Sequence, residues 1–501
     1  MKNITALAAL VLLGLGSASS KSLKIDPRLT FHRENILGTS LEVKVAAATE
    51  EDAERAESAA VDEIERLSNI LSGYNPASEF SRWTRTSHQA VPVSPELLEV
   101  LNLFDTWRDR TGGALDASAE TIGRVWKTAA AEGRMPTRAE LDAAVRTVRQ
   151  AHWKLDPAQR TAEHLDDAPL MLNSFTKSYI VDRAAGVALK SGGVRGVVVN
   201  IGGDLAVRGA MVEPVGIADP KSDAENADPI ARLSIRDRAV ATSGDYRRGV
   251  EIGGSHYSHI VDPRTGLTAQ EVISSTVVAP VAADAGALAT AFSVMAPAES
   301  AKLAASMPGV DYLLVKKDGT RLMSRNWNRL APQFVPQAAK SAAAPGSWDA
   351  SMELTVAVEI ARIDDFRSRR PYLAVWIEDQ DKFPVKTLAL WYEKPRWLPE
   401  LKQWYRDDRM RSMAEGTDIS KSISSATRSP GKYTLKWDGK DNAGKPVKAG
   451  KYNVLIEVAR EHGTYQLMHQ EIDFTGTPKQ SQLPGNTEIA GATLDYHKLG
   501  R

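Results

Sequence analysis

Seven polar segments in the first part of the chain, five of them bearing glycine, carry the side chains from which a reaction could be built. Gly38-Thr39, Tyr74-Asn75-Pro76 leading into Ser78-Glu79-Phe80-Ser81-Arg82, and Gly113-Ala114-Leu115-Asp116 come first. Then follow Ser174-Phe175-Thr176-Lys177, Asn200-Ile201-Gly202-Gly203-Asp204, Ala241-Thr242-Ser243-Gly244-Asp245-Tyr246, and Tyr257-Ser258-His259-Ile260-Val261-Asp262-Pro263-Arg264-Thr265-Gly266. Each alone reads as a capped turn. Together they offer backbone amides, a Lys, a His and several carboxylates, the inventory for holding a phosphorylated ligand and its metal. The plainer readings stand beside this one: a Tyr next to Asn-Pro anchors turns, and a His before a strand end is often structural. The chain has no Walker loop, dinucleotide-binding glycine fingerprint, nucleophile elbow or zinc-protease helix. With no cysteine in the chain, thiolate metal sites, Cys nucleophiles and disulfides are excluded, and any metal is held by oxygen or imidazole.

Positioning such residues takes a folded frame, and the pattern supplies one. Ala60, Ile64, Leu67 and Leu71 fall on one face of a helix. Val197-Val198-Val199-Asn200-Ile201 is a β-branched run that predicts a buried strand, ended by a tight Gly202-Gly203 turn. This first region is therefore α+β, over 25–333. A small-residue stretch over 334–347, with Pro near both ends, reads as a linker. Beyond it, alternating strands and turn chemistry such as Asp438-Gly439-Lys440-Asp441-Asn442-Ala443-Gly444 predict an all-β, immunoglobulin-like sandwich over 348–480, followed by a tail over 481–501. Six of the 11 Trp lie past residue 347, and a large aromatic core accounts for them better than a sugar platform.

At 501 residues, 43% hydrophobic and 25% charged, the chain has room for two or three cores. Lys+Arg and Asp+Glu both total 63, so no global field steers it to nucleic acid or an anionic membrane. Met1-Lys2-Asn3, an apolar run from Ile4 to Leu15, and small residues to Ser20 have the order of a secretory signal over 1–20. The alternative is an anchoring N-terminal helix. Export, and in a Gram-negative host a periplasmic location, is the expectation, with no transmembrane segment after cleavage.

The Gly-Gly-Asp strand end, Ala-Thr-Ser-Gly-Asp-Tyr, and Tyr-Ser-His-Ile-Val-Asp-Pro-Arg-Thr-Gly, in that order, resemble the ApbE-like FAD:protein FMN transferases over about residues 30 to 330. The resemblance implies an exported enzyme that binds FAD with magnesium (Mg2+). It further implies transfer of FMN to a Ser or Thr of an acceptor flavoprotein, with release of AMP. On that resemblance Leu37, Tyr74, Ala114, Leu115, Asp116, Lys177 and Ile260 line FAD, with Tyr74 facing a planar ring and Lys177 neutralising diphosphate. His259 is the base for the acceptor hydroxyl, since imidazole titrates near neutral pH. The second region resembles a periplasmic domain of unknown function found beside such transferases, through Arg370-Pro371-Tyr372-Leu373-Ala374-Val375-Trp376 and Ala459-Arg460-Glu461-His462-Gly463-Thr464-Tyr465.

The metal positions depart from that pattern. The family's Ala-Asp-Ala-Leu-Ala-Thr-Ala reads here Ala285-Gly286-Ala287-Leu288-Ala289-Thr290-Ala291, so Thr290 is kept and the Asp is Gly286. Asp284 lies six residues before Thr290, about 120° away round a helix, and replaces the lost ligand only if the helix starts later. The family's Leu-Asp-Leu-Gly-Gly-Ile-Ala-Lys-Gly reads Leu170-Met171-Leu172-Asn173-Ser174-Phe175-Thr176-Lys177-Ser178. Ser174 occupies the position whose carbonyl binds the metal, and an acidic residue has become Met171. The resemblance thus assigns Ser174, Asp284 and Thr290 to the metal, and Gly286→Asp is expected to restore its affinity. Two readings follow: a working transferase with a rearranged metal site, or an FAD-binding scaffold whose sandwich binds a partner. Finally, Gly491-Ala492-Thr493 closes the family's acceptor motif, although its leading Asp is Thr487; the alternative for this stretch is a surface turn.

Overall fold

The computed structural model describes residues 28–244, 248–332, 348–363, 370–460 and 463–499. The expected signal and the linker over 334–347 lie outside the described residues. In the first domain eight antiparallel strands form one sheet. Their spatial order is β1 (Arg28–Ile36), β2 (Thr39–Ala47), β3 (Val194–Ile201), β4 (Asp204–Gly209), β5 (Ala239–Gly244), β6 (Val272–Ala279), β7 (Asp311–Lys316) and β8 (Arg321–Met323). Val197, Val199 and Ile201 of β3 enter one core and Val198 enters the other, which is why Val197-Val198-Val199 run apolar without alternation. The first core lies under α1 (Glu50–Leu71), α2 (Thr176–Leu189) and α3 (Ala282–Phe292); the second lies under Trp327 and Leu330.

Helix α1 bears out its periodicity. Ala60, Ile64, Leu67 and Leu71 are all buried, and the Thr49 hydroxyl caps the helix by accepting the Asp52 N–H at 3.1 Å. Glu57 is buried on the same helix but is held by Arg33 Nη2 from β1 at 3.0 Å, so its charge is compensated.

The second domain is a sandwich. A four-stranded sheet built on Met352–Ile360 faces a five-stranded sheet built on Tyr372–Glu378, and Val356, Val358, Val375 and Ile456 meet between them. The tryptophans serve the core, as expected. Trp348 lies 4.8 Å from Trp437 and 4.9 Å from Phe474 between ring centroids, inside the range of favourable aromatic pairs. Two differences from expectation emerge. The outer face of the five-stranded sheet is also apolar, and a helix over Lys402–Glu415 covers it with Trp404 against Trp376. The expected tail over 481–501 is part of the sheet: Ile489–Lys498 pairs with Met352–Ile360 on one side and Lys479–Pro484 on the other. Thr493 is thereby opposite Ala357 and Gln482 within a paired strand and not in a surface turn.

Glu378 ends the strand Tyr372–Glu378 beneath that helix, accepting the Trp376 indole N–H at 2.7 Å. Burial, and a shared hydrogen bond with the Asp407 carboxyl, push its pKa from 4.5 up to about 7. A carboxyl raised on folding stabilises less as pH rises through the interval from the unfolded to the folded value, here 4.5 to about 7. Glu378→Gln keeps the acceptor for Trp376 without the charge. It is expected to melt about 2 °C or more above the parent at pH 8, with the gap closing at pH 5. A gap independent of pH would show that the carboxyl does not titrate in this range.

Candidate functional site

Two hairpin tips meet at one end of the first sheet. Ile36 pairs with Thr39, so Leu37 (φ 49°) and Gly38 (φ 76°) form a two-residue turn between β1 and β2. Ile201 pairs with Asp204, so Gly202 (φ 55°) and Gly203 (φ 95°) form the matching turn between β3 and β4. The tips interlock. Gly202 N–H donates to the Ser40 carbonyl at 3.0 Å, and a Cβ on Gly202 would stand 2.7 Å from Thr39 Cγ2. Asn200 Oδ1 accepts the Gly203 N–H at 3.0 Å, so both turn amides are already engaged.

Behind these tips α2 begins with no side-chain cap. Its first turn carries Lys177, whose ammonium lies 3.5 Å from both the Gly202 carbonyl and Asp204 Oδ1. One turn end of a helix with uncapped N–H groups and a lysine is electropositive. Asp204 is buried, and the Ser178 hydroxyl donates to its Oδ2 at 2.6 Å. Burial raises the Asp204 pKa against the opposing pull of Lys177 and Ser178.

Thr290, on α3, donates its hydroxyl to the Ser174 carbonyl at 2.9 Å and lies 3.3 Å from Ser243 Oγ. Ser174, Lys177 and Thr290 are therefore brought together, with Ser178, Asp204 and Ser243 around them. Asp284 is not. The helix starts at Ala282, before Asp284, so the condition for Asp284 to replace the lost ligand is not met. Its carboxyl is half-buried instead, its pKa raised by burial, and Arg110 and Asp182 are the charges it feels. Gly286 also differs from a simple gap: a Cβ there would fall 2.3 Å from Ser178 Oγ and 3.2 Å from Phe175 Cα. The serine that ends the Leu170–Ser178 run fills the room an aspartate at 286 would need.

A hard dication asks for several oxygens, at least one anionic. The oxygens gathered at Thr290 are neutral, the Asp204 carboxylate is engaged by Ser178 and Lys177, and no group of three or more His, Asp or Glu suited to a metal occurs among the described residues. These residues do not fit a tightly held magnesium ion.

Tyr74 is 76% exposed, and its hydroxyl accepts the Asn173 amide N–H at 2.7 Å, leaving an open ring face beside the start of α2. Ala114 and Leu115 are buried in the core, so only their backbone is available to a ligand. Asp116 is buried as well, accepting Ser118 N–H at 2.8 Å and Ser118 O–H at 2.6 Å, with Arg108 Nε at 3.0 Å. That is a capping role.

His259 sits apart, on the loop after the hairpin Gly249–Ile252 and Ser255–Ser258. Its Nδ1 is 3.1 Å from the Arg248 carbonyl, which can only accept, so Nδ1 carries the hydrogen and Nε2 keeps a lone pair. Desolvation against the loop, with positive charge from Arg248 and Lys127, lowers its pKa from 6.5. Ile260 is pinned by Ser258 Oγ at 3.1 Å and by Ala269 N–H at 2.8 Å. Reading along the chain met Asn173, Ser178 and Ser243 inside these motifs but gave them no role of their own. Each is a short polar residue whose partner lies far away in sequence, so no local spacing marks it.

A model described as the ApbE family matches residues 37–314, more than half of the chain. The chain belongs to the ApbE family. A second model, described as "Predicted periplasmic protein (DUF2271)", matches residues 353–491. An FAD:protein FMN transferase of Vibrio cholerae is 29% identical over 263 residues, covering 51% of this chain and 78% of that one. One from Salmonella typhimurium is 26% identical over 337 residues, covering 65% and 94%. The ApbE protein of Thermotoga maritima superposes with a TM-score of 0.54 at 25% identity, over 61% of this chain and 100% of that one. The flavinyl transferase ApbE of Pseudomonas stutzeri shares the fold, with a TM-score of 0.52 at 22% identity over 62% and 98%.

Proposed function

We propose that the first domain is an FAD:protein FMN transferase: it takes FAD as donor substrate and passes FMN to a Ser or Thr hydroxyl of an acceptor flavoprotein, releasing AMP. The observation that carries this reading is the uncapped start of α2 with Lys177 in its first turn, beside the Tyr74 ring, in a chain of the ApbE family. A diphosphate at that positive end leaves the isoalloxazine within the neighbourhood of an exposed aromatic face. On the family resemblance Leu37, Ile260 and Ala114 to Asp116 also belong to the lining.

The step is a phosphoryl transfer. The acceptor oxygen bonds to the FMN-side phosphorus as the bond from that phosphorus to the AMP-side bridging oxygen breaks. The hydroxyl proton passes to His259 Nε2, and AMP leaves as the anion. Lys177 stabilises charge on the diphosphate oxygens, and the residues at Thr290 and Ser174 orient them. Because Gly286 offers no carboxylate, metal dependence in this chain is weak. Its location is periplasmic, a reading supported by the periplasmic description of the second domain and by the amino-terminal segment. No helix among the described residues is long and apolar enough to cross a membrane.

Chromatography of FAD incubated with the full chain tests the reading. AMP is expected to accumulate only when an FMN-binding acceptor domain is present, one AMP per acceptor labelled. FAD that is bound yet uncleaved with acceptor present would favour a scaffold instead.

A further inference from the structure

The sandwich domain grips one of the two hairpin tips. Arg370, the first residue of the Arg370–Trp376 segment that marks the second domain, sends its guanidinium across to the first. One nitrogen pairs with the Glu34 carboxylate, and Nη2 donates to Asn35 Oδ1 at 2.8 Å. Just before them His32 N–H donates to the Glu393 carbonyl at 2.7 Å, tying the exposed edge of β1 to the sandwich. A cavity of about 110 Å³ separates Ser425 and Arg428 of the sandwich from Ser40, Gly202 and Gly203 of the first domain.

The gripped segment is conformationally costly. Asn35 (φ 60°) and Leu37 (φ 49°) both hold left-handed backbone next to an irregularity in the β1–β2 register between Arg33 and Ile36. Such residues keep that conformation where their surroundings impose it. Glu34 adds to the dependence, because its Oε1 is buried without a hydrogen-bond partner and the other oxygen meets Arg370. From this tip the contacts run on through Thr39 and Ser40 to Gly202, and from the Gly202 carbonyl to Lys177.

We propose that Arg370 is a positioning residue for the flavin site: by holding Glu34 and Asn35 it fixes the Leu37–Gly38 tip against the Gly202–Gly203 turn, so the sandwich sets the first domain's affinity for FAD. This rests on the reading of that end of the sheet as the FAD site. The sandwich is then a working part of the transferase and not only a neighbour on the same chain.

The test uses the full chain with Arg370→Ala, Arg370→Lys and the control Arg396→Ala. Arg396 makes a different bridge between the domains, 3.9 Å from Glu54 on α1. Arg370→Ala is expected to raise Kd and KM for FAD about ten-fold while kcat at saturating FAD and KM for acceptor stay within about two-fold. Arg370→Lys, which keeps charge and loses the fork, is expected to lie between. Arg396→Ala is expected to match the parent. Hydrogen exchange across residues 33–41 should quicken in Arg370→Ala and not in Arg396→Ala. Unchanged FAD affinity together with unchanged exchange in Arg370→Ala would overturn the proposal, as would equal effects of the two alanine variants. If the parent binds no FAD, the functional reading fails separately, and exchange over 33–41 alone decides whether Arg370 holds the tip.

Discussion

Gly286→Asp made alone is expected to destabilise the chain and leave its magnesium response unchanged, whereas Gly286→Asp with Ser178→Gly is expected to create a response. From sequence, the single change was the natural restoration. Packing decides otherwise: the new Cβ would stand 2.3 Å from Ser178 Oγ, and that hydroxyl is committed to Asp204 at 2.6 Å. Overpacking of this kind costs about 1–3 kcal/mol, more than the few tenths that Asp gains over Gly in helix propensity. With about 2–4 °C lost per kcal/mol in a domain of this size, the single variant should melt several degrees below the parent. Ser178→Gly removes the obstructing hydroxyl and releases Asp204, so the double variant brings an anionic oxygen toward Thr290 and Ser174. Magnesium affinity, read by calorimetry, should rise about ten-fold or more over the parent. The two changes should be strongly non-additive in melting temperature as well. A single variant as stable as the parent would show that α2 and α3 are not packed as described.

His259→Ala is expected to slow FMN transfer by about 10²–10⁴-fold with FAD affinity unchanged, the usual worth of a general base. Its Nδ1 is fixed on the Arg248 carbonyl, which leaves Nε2 as the atom that takes the proton. The base works only while neutral. Desolvation and nearby positive charge lower the His259 pKa below 6.5, so neutral imidazole persists through that pH and is lost only further toward acid. The parent's rate should therefore be level from neutral pH down to 6.5 and fall below it, and the His259→Ala profile should lack that acid limb. A limb centred above 6.5, or one retained in the alanine variant, would assign the proton to another group.

Much of the frame was legible in the sequence. The period of Ala60, Ile64, Leu67 and Leu71 identified α1, and the β-branched run before Gly202-Gly203 identified β3, because burial on one face or on two writes itself into local spacing. The aromatic core of the sandwich followed from its tryptophans. What escaped was set by contacts distant along the chain. Half of the residues in the helix Lys402–Glu415 are charged and few are apolar, yet Trp404 closes the outer face of a sheet. The strand Ile489–Lys498 looked like a tail because its partner, Met352–Ile360, lies over a hundred residues earlier. At the site, Lys177, Ser174 and Thr290 converge as their motifs implied, whereas the exchange of room between Ser178 and Gly286 exists only in three dimensions. Asp284 depended on one helix start, and that start is Ala282.

The most direct measurement is the mass of an FMN-binding acceptor domain after incubation with FAD and the full chain, followed by peptide mapping. One FMN on a single Ser or Thr is expected, formed by the parent and lost with His259→Ala while FAD binding persists in both. An acceptor that keeps its original mass, in the presence of parent protein shown to be saturated with FAD, would contradict the assignment of this chain as a transferase.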